Sequence, residues 1–250
     1  MPEHTAQHRE TIWIIGASDG IGAALAREWA ARGARLILSA RGEAALTQLA
    51  GSLGPDHVAL PLDVADCASM EAAVARIGAL GPLDRVVTMA ALYDPGRVAD
   101  LDAEKAAQII AVNLTGSFHV ARLAPRALRP GGQLALCGSV AGYVGLPQGQ
   151  IYSATKAGVI NLAESLRAEL AGQVDVRLIN PGFVDTRLTR RNSFSMPGLQ
   201  TPEAAARKII AGLNSRRFEI HFPRRLTWGL KLLRILPYRA SLALTRRLAH

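Results

Sequence analysis

Thr11-Ile12-Trp13-Ile14-Ile15-Gly16-Ala17-Ser18-Asp19-Gly20-Ile21-Gly22 is the stretch from which the rest of the chain can be read. Thr11 to Gly16 is a short apolar run, and from Ala23 to Ala31 apolar residues recur at helical spacing, so the segment predicts strand, turn and helix. The turn carries three glycines in the pattern G-x3-G-x-G. Glycine lets the backbone bend sharply and approach a charged group, and the N-terminus of the next helix offers free N–H groups to an anion. Gly16, Ser18, Asp19, Gly20, Ile21 and Gly22 therefore form a candidate cradle for a pyrophosphate, although the spacing differs from the commoner G-x-G-x-x-G.

The same alternation continues. Arg35 to Ser39 reads as a second strand, followed by a helix from about Glu43 to Ala50. His57 to Leu60 and Arg85 to Ala90 read as buried strands around a helix that starts near Asp66. Asp102 stands as the N-cap of a long helix to about Leu128, and Gly131-Gly132 turns into a strand from Gln133 to Cys137. Tyr152 to Leu170 reads as a helix, Val174 to Ile179 as a strand, and Thr201-Pro202 opens a further helix with proline in its first turn. Apolar strands alternating with helices imply parallel pairing with right-handed crossovers: an α/β, doubly wound, Rossmann-like sheet of about seven strands with helices on both faces. One domain is expected, with residues 1–215 carrying the dinucleotide and catalytic sites, and 216–250 adding a final strand and a basic helical tail.

Composition narrows the class. A chain of 250 residues that is 49% hydrophobic can bury a sizeable core. Cys67 and Cys137 lie far apart, with neither disulfide framework nor metal-ligand spacing, and read as small buried hydrophobes in a reducing compartment; no metal site is expected. Met1 to Glu10 is polar and lacks a secretion-signal layout, so a cytoplasmic location is the expectation. A net charge of +9 suggests a nucleic-acid binder, but residues 216–250 alone hold nine basic residues and one acid, and the rest is close to neutral. No nucleic-acid partner is expected.

Ser139, Tyr152 and Lys156 stand in the pattern S-x12-Y-x3-K. Four residues is about one helical turn, which places a phenol and an ammonium on one face. Charges about 4 Å apart at an effective dielectric near 20 interact by roughly 4 kcal/mol, so Lys156 is expected to lower the phenol's pKa into a range useful for moving protons. At the end of the second strand, Ser39-Ala40-Arg41 has no acid for the ribose hydroxyls of NAD, and Arg41 suits the 2'-phosphate of NADP. Asp63 can accept from an adenine amino group or simply cap a turn.

Together these residues resemble a short-chain dehydrogenase/reductase over about Thr11 to Leu213. The glycine motif lies at Gly16, Gly20 and Gly22; Asn113, Ser139, Tyr152 and Lys156 match the family's catalytic tetrad; and Pro181-Gly182-Phe183-Val184-Asp185-Thr186 is similar to its P-G-x-V-x-T. The chain departs from the family at Ile15, where threonine is usual, and at Thr88-Met89-Ala90-Ala91, where N-N-A-G is usual. Thr88 retains the capacity for one hydrogen bond, and cofactor affinity is expected to be weaker rather than lost. The resemblance implies an NADP(H)-dependent carbonyl reductase, or the reverse alcohol dehydrogenase, with NAD the less favoured cofactor. Tyr152 then moves the proton, Ser139 holds the carbonyl oxygen, Lys156 also holds the nicotinamide ribose, and Asn113 positions a proton-relay water. Val64, Ala90, Pro181, Gly182, Val184 and Thr186 also fall to the cofactor, with Thr186 and the backbone at Phe183 and Val184 on its carboxamide. Epimerases and enoyl reductases of the superfamily differ in length or in Tyr-Lys spacing.

The implied pocket lies between Val140–Gly149 and Leu188–Leu199, lined by Tyr143, Leu146, Pro147, Leu188, Phe194 and Met196. Arg187, Arg190 and Arg191 stand at its entrance, where solvated arginines without a substrate role are the preferred reading over contact with an acidic end of the substrate. A mainly apolar small-molecule carbonyl or alcohol is the expected substrate, and a homodimer through the two long helices, or a homotetramer, the expected assembly. In the tail, Leu226, Leu230, Leu233 and Leu236 share a helix face before Pro237, and Tyr238 to Leu248 forms a second short helix. Packing on its own domain or on a partner subunit is the preferred reading, with peripheral contact to an anionic membrane as the alternative. A low-turnover cofactor binder recruited through this tail is the competing functional class.

Overall fold

The computed structural model describes residues 8–192 and 194–246. The expectations for Met1 to Gln7, and for Arg247 and Leu248 at the end of the tail helix, lie outside the described residues. Seven parallel strands form one sheet: β1 Thr11–Ile15, β2 Arg35–Ser39, β3 Val58–Ala59, β4 Leu83–Thr88, β5 Leu128–Cys137, β6 Asp175–Pro181 and β7 Glu219–Phe222. Their order is β3-β2-β1-β4-β5-β6-β7, so the winding direction reverses between β1 and β4. In such sheets the crevice beyond the carboxyl ends of the two strands at the reversal is where ligands bind.

Alternate strand residues feed two cores. Ile12, Ile14, Leu36 and Leu38 pack under α1 (Gly20–Ala30), α2 (Glu43–Leu53) and α7 (Pro202–Leu213), while Trp13, Ile15 and Ile37 pack under the helices of the other face. Those are α3 (Cys67–Gly78), the run α4 (Ala103–Ile110) to α5 (Gly116–Leu123), and α6 (Gln150–Glu169). Burial on both faces is why the strands read as unbroken apolar runs. Asp19, Asp66, Asp102 and Thr201 cap α1, α3, α4 and α7 by accepting from backbone N–H groups of the first turn. Cys137 is buried as expected, whereas Cys67 is half-exposed beside Arg122.

Two expectations need correction. The long helix is not uniform: between α4 and α5, Ala111–Thr115 widens into a π turn, with Asn113 in its middle. Such single-turn expansions free backbone groups from the regular ladder and occur at functional sites. Gly131-Gly132 does not precede β5 but lies inside it. Leu128 already pairs with Leu83, and pairing resumes at Gln133 with Arg85, so residues 129–132 form an excursion within the strand. A Cβ at Gly132 would stand 2.9 Å from the Arg129 carbonyl oxygen, which is why glycine turns there.

The tail packs partly on its own domain. In α8 (Arg224–Ile235), Leu230 is buried and Leu226 and Leu233 lie against the core. In α9 (Tyr238–Arg246), Ser241 and Thr245 are buried. No helix among the described residues is long and apolar enough to cross a membrane.

Candidate active site

The glycine turn joins β1 to α1 at the reversal point. Gly16 adopts φ +87°, and a Cβ on it would stand 2.4 Å from Ala90 N, so the turn lies directly against the end of β4. Gly22 has even less room, with the Gly16 carbonyl oxygen 2.0 Å from its missing Cβ. Gly16 N and Ala17 N both donate to Ser39 O, at 2.6 and 3.0 Å, tying the turn to β2. At Gly20, the missing Cβ faces Thr186 Cγ2 at 3.0 Å, which brings the segment after β6 over the mouth of the turn. This is a cradle that side chains would fill, and its shape fits a pyrophosphate-bearing cofactor.

Around it lie the other residues singled out from the sequence. Arg41 is exposed just past β2 and pairs with no acid among the described residues. Asp63 accepts from Ala65 N at 2.9 Å, the turn-capping arrangement, with its second oxygen uncommitted in that bond. Val64 packs beneath Gly116, and its carbonyl lies 2.9 Å from His119 Nδ1. Thr88 is buried at the end of β4, yet its hydroxyl makes no hydrogen bond among the described residues; the sheet is tied there by Met89 N to Ile15 O at 2.6 Å. Pro181 ends β6, Gly182 N donates to Phe222 O at 2.7 Å, and Val184 bridges to Gln200. Thr186 N donates to Thr189 Oγ1 at 3.0 Å.

The tetrad candidates converge at the carboxyl ends of β4 and β5. Tyr152 and Lys156 sit one turn apart in α6, and the Lys156 ammonium lies 5.7 Å from the centre of the Tyr152 ring. Lys156 is 2% exposed and donates from Nζ to Cys137 O at 2.8 Å. Ser139 follows β5 directly; its Oγ accepts from Ala141 N at 3.1 Å and caps the 3-10 turn Val140–Gly142. Asn113 is fully buried: Oδ1 accepts from Leu92 N at 2.7 Å, and Nδ2 donates to Leu92 O at 2.9 Å and to Thr155 Oγ1 at 3.2 Å.

A family model described as short chain dehydrogenase matches residues 10–195. The chain belongs to that family. It is an oxidoreductase of the short-chain dehydrogenase/reductase type. It is 35% identical over 198 residues to "11-beta-hydroxysteroid dehydrogenase A" of Arachis hypogaea, a match covering 76% of this chain and 56% of that relative, so it spans little more than half of that protein. It is 34% identical over 181 residues to the 3-oxoacyl-[acyl-carrier-protein] reductase FabG of Escherichia coli, covering 71% of this chain and 74% of the relative. Its fold matches the crystal structure of a Burkholderia phymatum short-chain dehydrogenase/reductase in complex with NAD, at a TM-score of 0.82 and 24% identity, covering 90% of this chain and 92% of that one.

Against this family background the electrostatics of the tetrad correct one expectation. Burial pushes the Tyr152 phenol well up; nearby Cys137 and Tyr93 add to this, and the Ser139 hydroxyl only partly offsets it. Burial in turn lowers Lys156. The ammonium is spent on the Cys137 carbonyl, so desolvation rather than ion–phenolate attraction governs the pair in this structure. Asn113, too, does more than the sequence suggested, because its side chain brackets the Leu92 backbone across the π turn.

The pocket walls also differ. Tyr143 does not line an open apolar surface: it is buried, and its hydroxyl donates to Glu219 Oε1. Leu146 and Pro147 border a groove of about 420 Å³ that they share with Arg239, Leu242 and Arg246 of α9 and that contains none of the tetrad residues. Phe194 packs edge-on to Phe183, and Asn192 Nδ2 lies 3.4 Å from Met196 Sδ. All three entrance arginines have partners within the chain: Arg187 with Asp19 at 3.3 Å, Arg190 with Asp185 at 2.8 Å and Arg191 with Asp94 at 3.3 Å. Sequence reasoning missed Tyr93, whose ring meets that of Tyr152 at 4.7 Å and whose hydroxyl donates to Asn192 Oδ1 at 2.7 Å. No periodicity or motif marks a lone aromatic in an irregular loop.

Proposed function

We propose that this oxidoreductase interconverts a carbonyl and a secondary alcohol on a mainly apolar substrate, with NADP(H) as its cofactor. The observation that carries the reading is the convergence of half-buried Tyr152 with buried Lys156 and Ser139 beside the winding reversal, where the glycine cradle opens. When bound, the cofactor supplies or takes up hydride at the reacting carbon. Tyr152, which desolvation keeps protonated, gives its phenolic proton to the carbonyl oxygen as that oxygen becomes an alkoxide, a stronger base than the phenolate. Ser139 donates to the same oxygen and holds it. Lys156 would hold the cofactor's ribose, and Thr186 with the backbone of Phe183 and Val184 its carboxamide. Asn113 keeps the loop at Leu92 in place beside the reacting groups.

NADP is favoured over NAD by the exposed Arg41, which pairs with no acid among the described residues and stands where a carboxylate would otherwise meet the ribose. The relatives named for a 3-oxoacyl carrier and a hydroxysteroid support a ketone or alcohol carbon in an apolar molecule. A panel of ketones with NADPH and NADH tests the reading. Turnover is expected with NADPH, at least about a hundredfold slower in Tyr152→Phe, with the NADPH preference lost in Arg41→Ala. Turnover that survives Tyr152→Phe contradicts the mechanism, and an unchanged preference contradicts the role of Arg41.

The tail carries a second reading, of a partner. While the inner face of α8 packs on the domain, Trp228, Leu232 and Ile235 are exposed at i, i+4 and i+7, next to Tyr238 and Leu242 of α9. Exposed Arg225, Arg234 and Arg239 accompany this stripe. A basic, apolar face of this kind suits peripheral contact with an anionic membrane. Exposed Ile110 and Phe118 on α4 and α5 support a homodimer through these helices. Sedimentation equilibrium showing a monomer would contradict that assembly. The low-turnover cofactor binder is not favoured, because the four tetrad candidates are all present.

A further inference from the structure

Glu219 opens β7, outside every motif described above, and gathers donors from three separate elements. Its Oε1 accepts from the Tyr143 hydroxyl and, at 2.8 Å, from Asn180 Nδ2; its Oε2 pairs with Lys231 Nζ of α8. Burial alone would raise this carboxyl, but the donors Lys231, Tyr143 and Asn180 outweigh it and hold it below the usual range, as a carboxylate.

Each donor leads somewhere. Tyr143 closes the short turn that Ser139 opens: Gly142 N donates to Ser139 O at 2.9 Å, and Tyr143 N to Val140 O at 3.2 Å. Asn180 immediately precedes Pro181-Gly182, and its Oδ1 lies 2.2 Å from where a Cβ of Gly138 would stand, so it also abuts the residue before Ser139. The Lys231 ammonium lies 5.4 Å from the ring centres of both Tyr143 and Trp228, coupling the tail helix to the same point. A three-residue 3-10 turn beside Gly138 has little rigidity of its own.

We propose that Glu219 is a positioning residue for Ser139, pinning the turn that carries it through Tyr143 and bracing it from behind through Asn180. A 1 Å displacement of a group that must meet a carbonyl oxygen can cost on the order of a hundredfold in rate, so the pin is a lever on turnover rather than on cofactor binding. The inference rests on the reading of Ser139 as the holder of the carbonyl oxygen.

The test compares Tyr143→Phe, Glu219→Ala, Glu219→Gln, the double variant Tyr143→Phe/Glu219→Ala and Ser139→Ala, following kcat, KM and the Kd for NADPH by fluorescence. Tyr143→Phe is expected to lower kcat about tenfold with the NADPH Kd unchanged. Glu219→Ala should lose at least as much, and the double variant no more than Glu219→Ala alone, since both changes cut one path. Glu219→Gln should recover most of the rate lost in Glu219→Ala, because the amide oxygen still accepts from Tyr143 and Asn180. A wild-type kcat in Tyr143→Phe, or losses that multiply in the double variant, would overturn the proposal. Tyr143→Phe removes a single hydroxyl and carries the test even if Glu219→Ala does not fold. If Ser139→Ala retains the full rate, the reading of the active site fails; if Ser139→Ala is slow while Tyr143→Phe is not, only the positioning role fails.

Discussion

Tyr152 and Lys156 show how residue spacing and residue environment can point in opposite directions. One helical turn between a phenol and an ammonium suggests a lowered phenol pKa, and the spacing is as expected. What spacing does not reveal is burial. Lys156 is buried and Tyr152 half-buried, Lys156 donates to the Cys137 carbonyl, and desolvation drives the phenol up rather than down. An acid whose pKa is raised keeps its proton to higher pH, so in the protein alone Tyr152 stays a phenol throughout the physiological range. The difference in phenolate absorbance between wild type and Tyr152→Phe is therefore expected to be flat below about pH 10, the ordinary tyrosine value. A phenolate titrating near pH 8 without cofactor would contradict the burial argument. Arg187, Arg190 and Arg191 teach the same lesson, since a sequence shows charge but not the acid across the loop that takes it up.

At the scale of elements, the strands and most helices were legible because burial on both faces leaves unbroken apolar runs and because Asp66, Asp102 and Thr201 mark helix starts. The π turn at Ala111–Thr115 was not legible, since five residues of helical composition carry no sign of a changed hydrogen-bond ladder. Its partner lies 21 residues away, where Leu92 exchanges two hydrogen bonds with Asn113. Asn113→Ala leaves both Leu92 backbone groups unpaired, at roughly 1–3 kcal/mol each. Urea unfolding is expected to show a loss of about 2–6 kcal/mol. A loss under about 0.5 kcal/mol would mean that the bracket is not what holds the loop. The excursion inside β5 escaped notice for a related reason: Gly131-Gly132 signals a turn but not whether pairing has already begun upstream at Leu128.

For the whole molecule, the doubly wound sheet and its reversal place the glycine cradle, the tetrad candidates and the segment after β6 at one edge, and this much followed from motif order. The two faces of α8 did not. Leucines at 226, 230 and 233 were visible as one stripe and do pack inward, but the exposed Trp228, Leu232 and Ile235 emerge only once that inner face is fixed. If this face meets an anionic membrane, the protein co-sediments with phosphatidylserine vesicles at low salt, binding falls as salt screens the arginines, and Trp228→Glu/Leu232→Glu abolishes it. No binding at low salt would sink the membrane reading while leaving the chemistry untouched. The central claim is that Tyr152 moves the proton while hydride passes between cofactor and carbon. The most direct test follows deuterium from 4-deuterated NADPH into a ketone turned over by the panel, in wild type and Tyr152→Phe. The account predicts label on the carbinol carbon in the wild type, appearing at least about a hundredfold more slowly in the variant; no transfer in the wild type, or equal rates in both, would contradict it.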